Sequence, residues 1–214
     1  TPEGTATDAE WVNGSLVFAI AKDVLQNTVV ALTVGSSAGI SIPLEGVRWN
    51  SSKPSIETNA AAGPVTPQQF NRTDSVGSFA ATPSITYDSP RAGLVGSILI
   101  TFTPMMEIRQ GEVVRIRMTG FTAHPFALNA SGSSALSISP PGGFEKVSWS
   151  NETLSLTAGV TGIARKQAVA VTMHPDSAAA LALPTRGIRF GMRIFDIQAD
   201  SYDGRVLTTV IPVL

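Results

Sequence analysis

Three aspartates near the C-terminal end of the chain come closest to a spacing that could do chemistry. In residues 196–204, DIQADSYDG, the side-chain oxygens of Asp196, Gln198 and Asp200 stand at alternate positions, and Asp203 follows close by. Calcium takes roughly six to eight oxygen ligands from a flexible loop. The glycine and the distal glutamate of an EF-hand loop are missing, and the solvent face of a strand that ends in an Asp-Gly turn gives the same pattern. The three aspartates are therefore a calcium candidate with a structural alternative.

Catalytic residues are not expected. His124 and His174 lie at unrelated points, each directly before a proline, and neither has a carboxylate cluster at metal-ligand spacing. The absence of cysteine excludes thiol nucleophiles, zinc-thiolate sites and disulfides. A Ser-His-Asp triad among the many serines is the remaining enzymatic alternative. The sequence predicts a protein that is not an enzyme and that holds no cofactor.

Asparagine usage points to glycosylation. Five of the seven asparagines lie in Asn-X-Ser/Thr sequons, whereas a chain with about a fifth Ser and Thr would have roughly one or two by chance. A cysteine-free chain would by itself favour a reducing compartment or a bacterial surface. The excess of sequons favours a secreted protein with an extracellular or cell-surface location. We expect N-glycans at Asn13, Asn50, Asn71, Asn129 and Asn151.

The charge distribution does not indicate a binding partner. Only 14% of the residues are charged, against roughly 25% in an ordinary soluble domain, and the net charge is −1. Lys and Arg are spread singly, so no basic stripe for nucleic acid is expected. No apolar run approaches the roughly 20 residues that a membrane-spanning helix needs. The sequence predicts neither a nucleic-acid partner nor a membrane span.

The chain repeats itself at an offset near 140 residues. Residues 39–49, GISIPLEGVRW, align with residues 180–190, ALALPTRGIRF, at an offset of 141, and the register continues through Ile56/Ile197 and Val65/Val206. Self-similarity at a fixed period indicates tandem modules. We expect residues 1–80 to be the C-terminal portion of one module and residues 81–214 to be a complete one. A chain that starts in mid-repeat would be a piece of a longer protein.

One arginine recurs in both copies, as Arg48 and Arg189, each between apolar neighbours. Alternation along a strand turns it away from the core. It would then either bridge adjacent modules through a carboxylate or lie solvated on a strand.

Short runs of β-branched residues between Gly, Pro, Asn and Ser predict an all-β fold. Period-two alternation is clearest at 96–121, where it predicts a hairpin, or two strands joined by a longer loop, with Arg115 and Arg117 in water. Residues 1–10, 50–82 and 122–145 are expected to be mostly loops. Two short strands broken at Pro43 are expected within 39–49. Further strands are expected at 15–21, 28–34, 56–58, 146–149, 153–157, 167–173, 180–183, 187–197 and 205–213.

Residues 85–121 resemble a repeat of large extracellular proteins of protists, algae and some bacteria. The resemblance lies in Ala92-Gly93, Phe102-Thr103, the Ile-X-X-Gly of residues 108–111, and the strand that follows it, and Met105 and Met106 depart from the pattern. It implies Ig-like β-sandwich modules strung into surface filaments, flagellar hairs or cell-wall layers. It implies no catalytic residue.

The sequence thus favours a structural or adhesive extracellular glycoprotein that associates with itself or with neighbouring modules. A carbohydrate- or ligand-binding module is the alternative. The first predicts a fixed geometry between adjacent modules, and the second predicts exposed aromatic residues on a concave face or loop cluster.

Overall fold

The computed structural model describes residues 6–35, 38–43, 46–51, 54–80, 82–88, 91–131 and 133–213. They form strands, turns and loops, so the prediction of an all-β protein is confirmed. The chain forms two compact units, Thr1–Ser41 and Ile42–Leu214. The module boundary expected near residue 80 falls inside the second unit, and that division into modules stays a prediction.

The first unit contains one antiparallel hairpin, made by β1 (Ala6–Val12) and β2 (Ser15–Ile20). Its turn is Asn13-Gly14, and both residues have positive φ, 49° and 80°. A two-residue hairpin turn of type I′ requires this conformation, and Asn-Gly is its preferred pair. Residues 28–34, where a strand was expected, form none.

The described residues of the second unit form fourteen strands, all paired antiparallel. They are β3 (Ser55–Thr58), β4 (Val65–Gln69), β5 (Ser84–Tyr87), β6 (Val95–Gly96), β7 (Ile98–Phe102), β8 (Val113–Met118), β9 (Phe126–Asn129), β10 (Leu136–Ser139), β11 (Phe144–Ser150), β12 (Thr153–Ala158), β13 (Val169–Met173), β14 (Leu181–Ala182), β15 (Phe195–Asp200) and β16 (Val206–Ile211). A six-stranded sheet has the order β16-β15-β8-β12-β11-β9, and a four-stranded sheet has the order β10-β13-β7-β5. The pairs β3-β4 and β6-β14 form two small sheets.

The six-stranded and four-stranded sheets share one hydrophobic core. Ile100 on β7 and Ile116 on β8 are completely buried, and Phe102 on β7 contacts Phe144 on β11 with ring centroids 6.4 Å apart. Alternate residues of β7, β8, β13 and β15 point into this core, as period-two alternation requires.

The alternation predicted at 96–121 is confirmed, but the hairpin is not. β7 belongs to the four-stranded sheet and β8 to the six-stranded sheet, so the alternative of two strands joined by a longer loop is correct. The connection buries Met106 and Ile108. An apolar connection of this kind can pass from one sheet to the other, whereas a tight turn would have kept both strands in the same sheet.

Several strands lie where loops were expected, and besides the strand expected at 28–34 the two short strands expected within 39–49 are missing from the described residues. β4, β9 and β10 fall in stretches rich in Ser, Ala, Asn and Pro, and β1 begins in the polar stretch 1–10, so weak β-propensity hid all four. Residues 39–43 form no strand, and of residues 46–49 only Val47 joins a bridge, with Val76. Residues 187–194 are loop with a turn at Phe190-Gly191, so the strand expected at 187–197 begins only at Phe195.

The hairpins β1-β2 and β11-β12 have the same pairing at an offset of 138. Trp11 lies opposite Leu16, and Trp149 lies opposite Leu154. Both hairpins also carry a register shift at equivalent places, between positions 6 and 8 and between positions 144 and 146. The two turns carry the equivalent sequons of Asn13 and Asn151, both with positive φ.

The hairpins β3-β4 and β15-β16 have the same pairing at an offset of 141. Ile56 lies opposite Gln68, and Ile197 lies opposite Thr209. In each hairpin the register shifts at the next residue along. A β-bulge is a specific local feature of a strand pair, so its recurrence at one offset shows that the two hairpins are built alike.

These two like hairpins differ in burial. Ile197 is fully buried, whereas Ile56 is 55% exposed. β15 pairs with β8 along its second edge and faces the core. Within the described residues, β3 pairs with β4 alone.

Candidate functional site

The turn between β15 and β16 carries a buried carboxylate, that of Asp203, which is 4% exposed. The Ser201 side chain fixes this turn because its hydroxyl donates to the Glu107 carbonyl over 2.6 Å and accepts the Asp203 N–H over 3.2 Å. The Gly204 N–H donates to the Ser201 carbonyl over 3.3 Å. The turn therefore holds the carboxylate in one orientation, towards the loop before β8.

Two guanidinium groups pair with Asp203. Arg109 donates from Nε to Oδ2 over 3.0 Å and from Nη2 to Oδ1 over 3.1 Å, the two-pronged geometry that suits a carboxylate. Arg48 contributes its Nε, 2.9 Å from Oδ1. The Asp203 carboxylate raises the pKa of Arg109 above its usual value, and Glu107 and Glu112 add to this effect. A buried charge of this kind is tolerated when it is paired and hydrogen-bonded.

Arg48 reaches Asp203 from a separate part of the chain, residues 46–51. Val47 forms a bridge with Val76, with N–H to carbonyl distances of 2.7 and 2.9 Å. The Trp49 N–H donates to the Tyr202 carbonyl over 3.2 Å. Residues 46–51 are therefore fixed to the β15-β16 turn by backbone hydrogen bonds as well as by the ion pair.

The connection from β4 to β5 also lies on this turn. The Gly77 N–H donates to the Arg205 carbonyl over 2.7 Å, and Gly77 approaches Gly204 so closely that an added Cβ would lie 2.2 Å from the Gly204 oxygen. Two positions farther on, Phe79 contacts Phe102 edge-to-face with ring centroids 5.8 Å apart. We call the contacts of residues 46–51 and 76–80 with the β15-β16 turn the joint.

Of the two roles predicted for the recurring arginine, Arg48 shows the ion pair with a carboxylate, that of Asp203. That this pair joins two modules stays a prediction. Arg109 and Gly77 were not predicted from the sequence. Arg109 pairs with a residue 94 positions away, and no local pattern reports such a pairing.

The other two aspartates of the calcium candidate also have arginine partners. Asp200 pairs with Arg115 and lies 3.4 Å from Arg205. Asp196 lies opposite Arg117 in the β15-β8 register. Burial raises the pKa of Asp196, and Arg117 opposes that rise.

Each of the three carboxylates thus has a different set of arginines around it. The described part of the chain contains no group of three or more His, Cys, Asp or Glu residues arranged to hold a metal ion. Calcium binding by Asp196, Asp200 and Asp203 stays a prediction for a calcium titration.

The five sequon asparagines are all exposed, as glycosylation requires. They occupy turns or strand ends: Asn13, Asn50 and Asn151 have positive φ, Asn71 follows β4, and Asn129 ends β9. The hydroxyl residue of the second sequon, Ser52, lies outside the described residues. Glycan occupancy stays a prediction.

Neither histidine lies in a strand. Residues 35–39, Gly-Ser-Ser-Ala-Gly, have the Gly-X-Ser-X-Gly spacing of a hydrolase nucleophile elbow, and Ser37 lies outside the described residues. Such an elbow follows a strand and opens a helix. The described residues on either side of this stretch form neither element.

Two candidate aromatic platforms are covered by arginines. The guanidinium of Arg72 lies 5.4 Å from the Trp49 ring centroid, and that of Arg109 lies 5.3 Å from the Tyr202 ring centroid. These cation–π contacts stiffen the joint. An open depression of about 320 Å³ lies elsewhere, and small side chains such as Thr101 and Ala170 line much of it. Carbohydrate or ligand binding stays a prediction.

No known family model matches the chain, and neither a curated protein nor a solved structure matches it. Over the described ranges, no helix is long and apolar enough to cross a membrane. The geometry of the joint and the like hairpins are therefore the observations from which function has to be argued.

Proposed function

We propose that the chain is part of a structural or adhesive extracellular glycoprotein built of repeated Ig-like β-sandwich modules, within a surface filament or a cell-wall layer. The observation that carries the proposal is the recurrence of two hairpins with identical pairing and identical bulges, at offsets of 138 and 141. Antiparallel sheets of six and four strands over one core support the sandwich.

On this proposal, residues 1–80 are the C-terminal portion of one module and residues 81–214 are the next. Residues 30–34 then correspond to β13, which pairs with β10 and β7 in the complete module. No described strand stands in those two places for residues 30–34. A strand forms only when neighbouring strands accept and donate its backbone hydrogen bonds, so the absence of a strand here agrees with a partial module. The strands of a local hairpin such as β3-β4 pair with each other and need no further strand.

The joint supplies what a structural role needs, a fixed geometry between successive modules. Residues 46–51 and 76–80 belong to the end of the first module and to its connection to the second. They lie on the β15-β16 turn of the second module through backbone hydrogen bonds, the Asp203 ion pairs and the close contact of Gly77 with Gly204. A flexible linker would have left the modules free to turn against each other.

Glycans would complete the design. Edge strands present unpaired N–H and C=O groups that invite pairing with other chains. Asn129 lies on β9, at one edge of the six-stranded sheet, and a glycan there would shield that edge. This is the arrangement expected of a long protein that is exposed outside the cell.

Electron microscopy of the protein from its native source tests the proposal. Antibodies raised against residues 82–213 locate the chain, and we expect a row of equally spaced densities, each of the size of one module, on the cell exterior. Single isolated particles, or labelling confined to the cell interior, would contradict it.

A further inference from the structure

Residues 187–192 form a second turn segment like residues 46–51. The Gly187 N–H donates to the Pro184 carbonyl over 2.9 Å, as the Gly46 N–H does to the Pro43 carbonyl over 2.8 Å. Gly46 and Gly187 share positive φ, 79° and 71°. The segment before the recurring arginine therefore has the same conformation in both places.

The same agreement holds after the arginine. The Met192 N–H donates to the Arg189 carbonyl over 3.1 Å, and the Ser51 N–H donates to the Arg48 carbonyl over 3.2 Å. Position 50 and its equivalent, position 191, both have positive φ, 51° and 77°. Residues 187–192 are thus a preformed copy of the segment that docks at the joint.

The two segments differ in what covers them. Trp49 is 39% exposed, whereas its equivalent Phe190 is 84% exposed. The N–H groups of Val47 and Trp49 are hydrogen-bonded at the joint, whereas those of Ile188 and Phe190 have no hydrogen-bond partner among the described residues. Arg189 likewise has no carboxylate partner in the described ranges.

We propose that residues 187–192 are the docking surface for a following module of the same kind, a second copy of residues 74–214 continued from Leu214. Arg189 would pair with the copy's carboxylate at position 203, and Phe190 would lie beside its Tyr202. This inference rests on the proposed repeated architecture and adds the residues that make the joint. It also gives the chain a polarity, because the docking segment is on one module and the carboxylate is on the next.

The chemistry of the partner follows from the joint that is already present. Arg48 shows that a guanidinium at this position binds a buried carboxylate, and the bridge of Val47 with Val76 shows that the segment also hydrogen-bonds to an extended backbone partner. A second free copy of this chain does not offer that site, because its Asp203 is already paired with its own Arg48 and Arg109. The separate chain is therefore expected to be monomeric, and the tandem chain is expected to form the new joint.

The test is a tandem chain in which residues 74–214 follow Leu214 directly, which keeps the offset of 141. Residue-resolved amide hydrogen exchange is measured by NMR for the single and the tandem chains. The Ile188 and Phe190 amides become hydrogen-bonded in the new joint and should exchange at least about tenfold more slowly in the tandem chain. As a matched control, Asp203→Asn is made in the second copy alone. The exchange rate of the Phe190 amide should then rise most of the way back to its rate in the single chain.

The outcomes separate the joint from the modules. Unchanged exchange at Ile188 and Phe190, together with slow exchange in the second copy's own β15 and β16, would overturn the joint and leave the repeated modules standing. Fast exchange throughout the second copy would overturn the independent module as well, and with it the proposed architecture. Slowed exchange that Asp203→Asn in the second copy does not relieve would overturn the role given to Arg189.

Discussion

Replacing Asp203 by asparagine should destabilise the second unit far more than the same change at Asp200. Asp200 ends β15, Asp203 lies in the turn that follows, and both residues pair with arginines. The Asp203 side chain is 4% exposed, whereas that of Asp200 is 45% exposed. Breaking a buried ion pair is costly because it leaves a charge without compensation, whereas exposed pairs contribute little.

The size of the effect follows from the contacts. Asp203→Asn removes the negative charge that holds three guanidinium contacts, and a hydrogen bond to a charged group contributes about 1.5–3 kcal/mol. Arg48 and Arg109 are 66% and 46% exposed and regain water, so the net loss should be near that of one such bond, about 2–3 kcal/mol. For a domain of this size, the melting temperature falls by about 2–4 °C per kcal/mol.

Thermal unfolding followed by circular dichroism measures the difference. We expect Asp203→Asn to lower the melting temperature of the second unit by about 4–12 °C and Asp200→Asn to lower it by less than about 4 °C. Equal melting temperatures for the two variants would refute the view that the buried carboxylate organises the joint.

Three further predictions concern single residues. Gly77→Ala should lower the free energy of unfolding by more than about 3 kcal/mol and make residues 76–80 accessible to protease, since the new Cβ would lie 2.2 Å from the Gly204 oxygen. Protease resistance equal to that of the wild type would contradict this prediction. In denaturant unfolding, Ile197→Ala should lower the free energy of unfolding by about 2–5 kcal/mol, and the equivalent Ile56→Ala should lower it by less than about 1 kcal/mol, because only Ile197 is buried. Similar losses for the two variants would contradict the difference in burial. The raised pKa of Asp196 means that the folded protein disfavours the charged form of this side chain, so Asp196→Asn should increase the free energy of unfolding at pH 7 by less than about 1 kcal/mol. The gain should vanish below pH 3.8, the ordinary pKa of an aspartate, where the carboxyl is protonated in both the folded and the unfolded protein. A gain that persists at lower pH would contradict this account.

Local patterns predicted the core strands and little of how they pair. The alternation of Ile98, Ile100 and Phe102 places β7, because alternate burial is a property of one strand. The sheet that β7 joins depends on β5 and β13, which lie far away in sequence. For this reason the sequence left two alternatives for β7 and β8, of which the hairpin was wrong and the two strands joined by a longer loop were correct.

Weak local signals account for the missed strands. β4 contains Pro67, which cannot donate to a ladder, and it lies where the register of the hairpin shifts. β10 is Leu136-Ser-Ile-Ser139, where serines lower the β-propensity. Pairing with β13 outweighs that low propensity.

Only part of the candidate site could be predicted from the sequence. Repetition singled out Arg48 and Arg189 and offered a carboxylate bridge between modules as one of two roles, and Arg48 does pair with a carboxylate. The spacing of the three aspartates predicted Asp203 as a calcium ligand. Spacing along the chain identifies residue types but not the residues that pair with them in the fold. The partners, Arg48 and Arg109, come to Asp203 from two distant segments that only the fold brings together.

The central claim is that the chain belongs to an extracellular glycoprotein, and glycopeptide mass spectrometry on protein from the native source tests it most directly. The peptides to follow contain Asn13, Asn50, Asn71, Asn129 and Asn151, all of them exposed. We predict N-glycans on most of these five asparagines. Unmodified asparagine at all five sites would contradict the claim.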